Sequence, residues 1–144
     1  MFNPNPKNIT PKKEREPLKK KSSFKNSIPD LIKQATIVFN AWIRKRDEGK
    51  PCISCGKYVP LEAGHYYNAK QFPELRLDEI NVNGQCIPCN RMEEGNVKGY
   101  FDGLIMKYGI DEIKELQTII SKYRQIPFKW EREQLKKIIE QYSK

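Results

Sequence analysis

The hydrophobic pattern of the chain is clearest over residues 29–48. Apolar side chains recur there every three or four positions, as they do on the buried face of a helix. Pro29 suits a first helical position, and Gly49 and Pro51 follow as residues that end a helix. The pattern predicts an amphipathic helix over residues 29–48 with Trp42 in the core. Its apolar face consists of Leu31, Ala35, Val38 and Trp42, widened by Ile32, Phe39 and Ile43.

Three more helical patterns follow in the second half of the chain. The first ends at Gly109, and the other two cover residues 111–124 and 128–142, on either side of Pro127. We expect the last two helices to pack on the rest of the chain, although part of their apolar surface is also compatible with a homodimer. The apolar positions are Val97, Phe101, Leu104 and Ile105, then Ile113, Leu116, Ile120 and Tyr123, then Trp130, Leu135, Ile138, Ile139 and Tyr142.

Between these helical regions the pattern changes to short extended pieces. Tyr58, Val59 and Leu61 are expected to begin a β-hairpin that continues through residues 62–67. A second short extended piece is predicted around Arg76, which lies between two leucines. Residues 81–84, rich in Asn and Gly, are expected to form an irregular loop.

The four cysteines form two Cys-x-x-Cys pairs on either side of this hairpin: Cys52 with Cys55, and Cys86 with Cys89. Each short pair aims two sulfurs at one point, so the four thiolates can bind one tetrahedral structural zinc ion per chain. Two disulfides are the alternative, and the expected cytoplasmic location disfavours them. The predicted fold class is α+β, a treble-clef ββα core around zinc over residues 52–107 with helices on both sides.

The net charge of +9 is unevenly distributed. Residues 1–27 hold eight basic and two acidic residues together with four prolines, which predicts a disordered arm in front of one domain over residues 28–144. We expect the arm to contact nucleic acid; a merely solubilising tail is the alternative. No apolar run is long enough to cross a bilayer, and no secretory signal is evident, so no membrane partner is expected. The expected nucleic-acid contacts are Lys12, Lys13, Arg15, Lys19, Lys20, Lys21 and Lys25.

Several short motifs over residues 52–103 resemble the phage NinG (Rap) family of recombination endonucleases. More broadly, they resemble the HNH and endonuclease VII-like ββα-metal nucleases. The resemblance implies a structure-specific endonuclease that cuts branched or Holliday-junction DNA in the cytoplasm of an infected or lysogenic bacterial host. The motifs are Cys52-x-x-Cys55, Ala63-Gly64-His65, Leu75-Arg76-Leu77-Asp78, Cys86-x-x-Cys89-Asn90 and Gly95-Asn96.

The resemblance also implies roles for individual residues. His65, the only histidine, would be the general base that activates water. Asn81 would brace it, with Asn83 as a close competitor, and Asn90 at the helix start would bind a catalytic Mg²⁺ or Mn²⁺. The chemistry agrees, because a neutral imidazole is the natural base at cellular pH and an amide oxygen is a hard donor suited to these cations.

Gly64 departs from the broader pattern, in which many HNH-type enzymes carry an Asp or His metal ligand immediately before the base. A second ligand must then come from elsewhere, or His65 itself binds the cation. The departure also favours a rival interpretation, a zinc-stabilised DNA-binding or adaptor module without catalysis. The candidate second ligands are Glu62, Asn68, Glu94 and Asn96.

Overall fold

The computed structural model describes residues 26–144. Four helices and a two-stranded sheet are found in that range: α1 Ile28–Arg46, β1 Leu61–His65, β2 Val82–Cys86, α2 Val97–Tyr108, α3 Ile110–Tyr123 and α4 Arg132–Tyr142. The predicted α+β class is therefore confirmed at this level. The arm residues Lys12, Lys13, Arg15, Lys19, Lys20, Lys21 and Lys25 lie outside the described residues.

Helix α1 has nearly the predicted bounds. Its N-cap is Ser27, whose hydroxyl oxygen accepts the Asp30 backbone N–H at 3.3 Å. One face of α1 packs against Leu135 of α4. Trp42, which was predicted to be a core residue, is only half-buried, and its ring meets the edge of Tyr142 with centroids 5.0 Å apart. The fully buried face consists of Leu31, Ala35, Phe39 and Ile43.

The hairpin is antiparallel, and its register runs from Leu61 opposite Cys86 to His65 opposite Val82. Two predictions about it were wrong. The piece around Arg76 is not a strand, since Pro73–Leu75 forms a 3-10 turn there. The second strand is instead β2, which includes most of the stretch predicted to be an irregular loop.

A buried polar cluster explains how such a polar segment becomes a strand. Asp47, which ends α1 and is 2% exposed, accepts the Gly84 backbone N–H at 2.8 Å. Arg46 binds both oxygens of Asp47, and Lys107 from α2 binds one of them at 3.2 Å. Burial alone would raise the pKa of Asp47, but the bonds from Arg46 and Gly84 hold that pKa well below its usual range. Side chains from other elements thus form hydrogen bonds with the polar groups of the strand.

Helix α2 begins later than predicted. A π-helical turn, Pro88–Met92, follows the second cysteine pair, and the N-cap of α2 is Asn96, whose Oδ1 accepts the Gly99 backbone N–H at 3.3 Å. Along α2, Gly99 and Gly103 lie directly against the first cysteine pair. A Cβ atom on Gly103 would lie 1.9 Å from the Ile53 carbonyl oxygen, so only glycine permits this contact.

The last two helices pack against different elements. Helix α3 packs Leu116 and Ile120 against Leu75 of the 3-10 turn, whereas α4 packs on α1. The expected packing of both helices on the rest of the chain is confirmed, and the homodimer stays a prediction. No helix among the described residues is long and apolar enough to cross a bilayer.

Candidate active site

The four cysteines converge as predicted. Their Sγ atoms all lie within 4.8 Å of one another, and those of Cys55 and Cys86 are 3.7 Å apart. Zn–S bonds of about 2.3 Å at tetrahedral angles place sulfurs roughly 3.8 Å apart, so this arrangement can bind one zinc ion. Cys52, Cys86 and Cys89 are buried and Cys55 is exposed. All four are free thiols, which contradicts the disulfide alternative.

The surroundings of the sulfurs favour a bound cation. The backbone N–H of Cys86 donates to Cys52 Sγ at 3.3 Å, and Asn96 Nδ2 donates to Cys89 Sγ at 3.4 Å. Burial raises the pKa of the Cys89 thiol to about 12, and the neighbouring Cys86 and Cys55 sulfurs also act to raise it. Four thiolates this close together repel one another unless a cation neutralises them, as zinc does in such sites.

A cleft of about 800 Å³ opens beside the other end of the hairpin. It brings together two of the three predicted catalytic residues, His65 at the end of β1 and Asn90 in the π-helical turn. The acidic side chain of Glu94 also lines it. Two basic residues, Lys70 and Arg76, also line the cleft.

His65 has the state that a general base requires. Its Nε2 lies 2.9 Å from the Arg76 carbonyl oxygen, which can only accept, so Nε2 carries the hydrogen and Nδ1 is the basic nitrogen. Nδ1 makes no hydrogen bond within residues 26–144. Burial lowers the pKa of His65 below 6.5; the bond to the Arg76 carbonyl opposes this, and the Arg76 charge adds to the lowering. The imidazole is therefore neutral at neutral pH.

Asn81 does not brace His65 directly, which corrects the predicted contact. Its side chain is fully buried, and its hydrogen bonds are made to the loop before Arg76. Oδ1 accepts the Tyr67 backbone N–H at 2.8 Å, and Nδ2 donates to the carbonyls of Tyr67 and Leu75 at 3.0 and 2.9 Å. Asn81 thus orders the loop, and the Arg76 carbonyl holds the imidazole.

Asn83, the competitor for that role, belongs to the buried polar cluster. Its Oδ1 accepts hydrogen bonds from Arg46, Lys107 and Tyr108 at distances of 2.9–3.0 Å. Its Nδ2 donates to the Ile80 carbonyl at 2.8 Å. With both ends of the amide bonded there, Asn83 has a structural role in β2 and makes no hydrogen bond to His65 in the described part of the chain.

Asn90 lies inside the π-helical turn and not at the start of α2, so the predicted helix-start position is wrong. Such turns occur often at functional sites. Its Nδ2 donates to Glu62 Oε1 at 2.6 Å, and its Oδ1 makes no hydrogen bond to any described residue. A hard oxygen donor is therefore available in the cleft that contains His65.

Packing explains why the residue before His65 is a glycine. A Cβ atom on Gly64 would lie 2.1 Å from Oε1 of Gln85, a residue of the neighbouring strand β2. Gln85 is fully buried, and its Nε2 donates to Ser54 Oγ and the Gly95 carbonyl at 2.8 and 2.7 Å. No ligand side chain fits at position 64. Sequence reasoning missed Gln85, because nothing local marks it as buried.

Among the four candidate second ligands, three have other partners. Glu62 binds Arg91 and Asn90, Asn68 Oδ1 accepts the Lys70 backbone N–H, and Asn96 caps α2. The Glu94 carboxylate has no hydrogen bond or ion pair among the described residues, and it lines the cleft. Its backbone has φ +49°, which is uncommon outside glycine and often marks a functional position.

Comparison with known proteins gives one family. A family model described as Bacteriophage Lambda NinG protein matches residues 5–144. Protein ninG of Salmonella phage P22 is 39% identical over 114 residues, 78% of this chain and 54% of that protein. Protein ninG of Escherichia phage lambda is 37% identical over 114 residues, 78% of this chain and 53% of that protein.

A third relative, Protein ninG of Escherichia phage 933W, is 40% identical over 95 residues, 65% of this chain and 47% of that protein. The chain thus spans about half the length of the curated relatives it matches. No solved structure matches the chain significantly.

Proposed function

Because this chain belongs to the NinG family of phage proteins, we propose that it is a metal-dependent DNA endonuclease with a treble-clef, HNH-like ββα core. One observation carries the proposal: a neutral imidazole with a free basic nitrogen shares a cleft with a free amide oxygen. This pairing of base and hard ligand is what metal-assisted phosphodiester hydrolysis needs. The suggested substrate, branched or Holliday-junction DNA during phage recombination, rests on the family resemblance alone.

The cysteine cluster supports one structural zinc ion per chain in this proposal. All four sulfurs have the spacing of a closed tetrahedral site, which leaves no position open for water or substrate. Zinc would then stabilise the fold and stay outside the reaction. Its binding would fix the ends of the hairpin, because Cys86 terminates β2 and pairs with Leu61 of β1.

The cleft supports a second, catalytic cation, Mg²⁺ or Mn²⁺. Asn90 Oδ1 and the Glu94 carboxylate are hard oxygen donors of the kind that these cations prefer, and we assign Glu94 as the ligand that replaces a side chain at Gly64. When bound, the cation would supply positive charge to the departing oxygen of the phosphodiester. Lys70 and Arg76 would attract the DNA backbone to the same cleft.

His65 performs the proton transfer in this scheme. The Arg76 carbonyl keeps the hydrogen on Nε2, so Nδ1 faces the reaction as an acceptor and removes a proton from the attacking water. Asn81 acts indirectly, because it holds the loop that carries Arg76 and does not contact the imidazole. Asn81 is therefore a positioning residue for the base.

The rival interpretation is a zinc-stabilised DNA-binding or adaptor module without catalysis. One observation favours it: Gln85 occupies the space in which a ligand before His65 would lie. Under this interpretation the cleft binds phosphate through Lys70 and Arg76 and contains no reactive cation. Both interpretations include zinc and DNA, so only a cleavage measurement separates them.

The test is incubation of zinc-loaded protein with end-labelled four-way junction and with linear duplex of the same sequence. Each substrate is incubated with Mg²⁺, with Mn²⁺ and with no added cation. The last arm is the proper control, because a strong chelator would also remove zinc. We expect cleavage only with Mg²⁺ or Mn²⁺, and faster on the junction. If no divalent cation supports cleavage of either DNA while both are bound, the binding module is correct.

A further inference from the structure

Asn90, which lines the cleft, is bonded to a carboxylate that the proposed chemistry leaves unused, Glu62 on β1. We propose that Glu62, held in place by Arg91, is a positioning residue that orients the Asn90 amide so that Oδ1 faces the catalytic cation. The inference rests on the proposed function, since it concerns the same cation site. It assigns Glu62 a role different from that of a ligand.

The orientation of the Asn90 amide follows from its partner. Glu62 Oε1 lies 2.6 Å from the terminal amide group of Asn90, and an ionised carboxylate can only accept hydrogen bonds. Nδ2 must therefore face Glu62, because the flipped amide would bring two oxygen atoms into repulsive contact. A hydrogen bond to a charged acceptor is short and roughly twice as strong as a neutral one. The carboxylate thus keeps Oδ1, the metal-binding atom, turned away from itself.

Three hydrogen bonds already engage the carboxylate oxygens of Glu62. Arg91 forms a two-pronged pair with them: Nε donates to Oε1 at 2.9 Å and Nη2 donates to Oε2 at 2.7 Å. Oε1 accepts from Asn90 as well. The fork of Arg91 fixes the plane of the carboxylate and neutralises its charge. With both lone pairs of Oε1 engaged and its charge paired with Arg91, this carboxylate is better suited to orienting a neighbour than to binding Mg²⁺.

The position of Glu62 in the fold gives the bond a second effect. Glu62 and His65 lie on the same strand, three residues apart, whereas Asn90 lies in the turn after the second cysteine pair. The bond between Glu62 and Asn90 therefore joins the strand that carries the base to the turn that carries the ligand. The distance between base and cation would be set by this bond and by the adjoining β1–β2 register.

The first test measures Mn²⁺ affinity directly, by electron paramagnetic resonance of the free ion, with zinc-loaded protein and no DNA. Loss of a residue that orients a metal ligand typically lowers affinity by about 10–100-fold. We expect a loss of that size for Glu62→Ala and a smaller one for Glu62→Gln, because an amide oxygen still accepts from Asn90. Parental affinity in Glu62→Ala would overturn the inference. A ligand role for Glu62 would give the same order of losses, because an amide oxygen also binds Mn²⁺, and the double-mutant cycle separates the two roles.

A double-mutant cycle sharpens this distinction. With Asn90→Ala as background, Glu62→Ala should cause almost no further loss, because there is no amide left to orient. Independent ligands would instead give losses that multiply. Glu115→Ala, which removes an exposed carboxylate on α3, is the control and should leave Mn²⁺ affinity unchanged. Zinc content and far-UV circular dichroism of every variant establish that the fold is intact.

Exchanging the carboxylate and the amide between positions 62 and 90 tests the same role, because the double variant should bind Mn²⁺ more tightly than one of its single variants. Asn90→Asp alone places two carboxylates at hydrogen-bond distance and should weaken the site, although carboxylates are good Mn²⁺ ligands. Adding Glu62→Gln supplies an N–H donor for the new carboxylate, so the double variant should bind Mn²⁺ more tightly than Asn90→Asp does. Equal affinity of the two would contradict the positioning role.

Failure of the inference is distinct from failure of the proposed function. If the parent protein binds no Mn²⁺, the proposed catalytic cation site is absent and the proposed function is wrong. If the parent binds Mn²⁺ and Asn90→Ala weakens binding while Glu62→Ala does not, the cation site stands and the role of Glu62 is overturned.

Discussion

The cysteine cluster adjoins the Leu61–Cys86 end of the hairpin, and the cleft includes His65 at the other end. The two regions differ in how completely their polar groups are used. In the cluster, four sulfurs converge within 4.8 Å of one another and form a closed set. In the cleft, His65 Nδ1, Asn90 Oδ1 and the Glu94 carboxylate have no bonded partner among residues 26–144. A closed set of soft ligands suits a structural ion, and an open set of hard donors suits a reaction.

Under the proposed function, stability and chemistry would be separated along the same hairpin. Residues near the cluster are packed and bonded to several elements at once, as Gln85 is to Ser54 and to the Gly95 carbonyl. In the cleft, by contrast, several polar atoms have no hydrogen-bond partner among residues 26–144. Changes at the first end should therefore alter folding, and changes at the second should alter chemistry alone.

The largest effect is expected for Cys86→Ser. Loss of one thiolate opens the closed site, and binding free energy at such a site is folding free energy. The variant should contain far less than one zinc per chain and lose its cooperative thermal unfolding. Elemental analysis and circular dichroism measure both. A folded, zinc-free variant would show that the cluster is dispensable and that the contrast with the cleft is wrong.

A smaller effect is expected for Gly103→Ala, in the seam between α2 and the first cysteine pair. Helix propensity alone would make alanine stabilising by roughly 1 kcal/mol. The Cβ atom would, however, lie 1.9 Å from the Ile53 carbonyl oxygen, and such overpacking costs about 1–3 kcal/mol. Urea unfolding of zinc-loaded protein should show net destabilisation. Met106→Ala, at an exposed position of the same helix, should change stability by less than about 0.5 kcal/mol.

The smallest effect on the folded part is expected from deletion of residues 1–25, which leaves the Ser27 N-cap of α1 in place. These residues hold a net charge of +6 out of +9, so they should supply much of the salt-dependent DNA affinity. Each DNA phosphate that the protein no longer neutralises flattens the log–log salt dependence by about 0.9. Fluorescence anisotropy with duplex DNA over a salt series should show a slope reduced by several units. Zinc content should not change, and an unchanged slope would rule out a binding role for the arm.

The features that could be predicted from the sequence are those encoded locally. The two Cys-x-x-Cys pairs carry their geometry in their spacing, and the structure brings all four sulfurs together. The ends of α1 were predicted within two residues from Pro29 and Gly49, although Phe39 and Ile43, and not Val38 and Trp42, complete its buried face. His65 and Asn90 were expected in one site, and they line one cleft.

The features that were missed depend on partners distant in sequence. Residues 81–84 were predicted to be a loop because Asn and Gly favour turns, but Lys107 bonds to Asn83 and Asp47 bonds to the Gly84 N–H from other elements. No local pattern records such partners. The π-helical turn that displaces Asn90 from the start of α2 was missed for the same reason, since its bond to Glu62 spans two separate elements.

The most direct test of the account is the single-turnover cleavage rate of a labelled four-way junction by parent protein and by His65→Ala at saturating Mn²⁺. General-base catalysis contributes about 10²–10⁴-fold in rate, so His65→Ala should cleave at least a hundred times more slowly. Its zinc content and DNA affinity should equal those of the parent, and further Mn²⁺ should not restore the rate. Restoration by Mn²⁺ would make His65 a ligand, and cleavage at the parental rate would contradict the proposed active site.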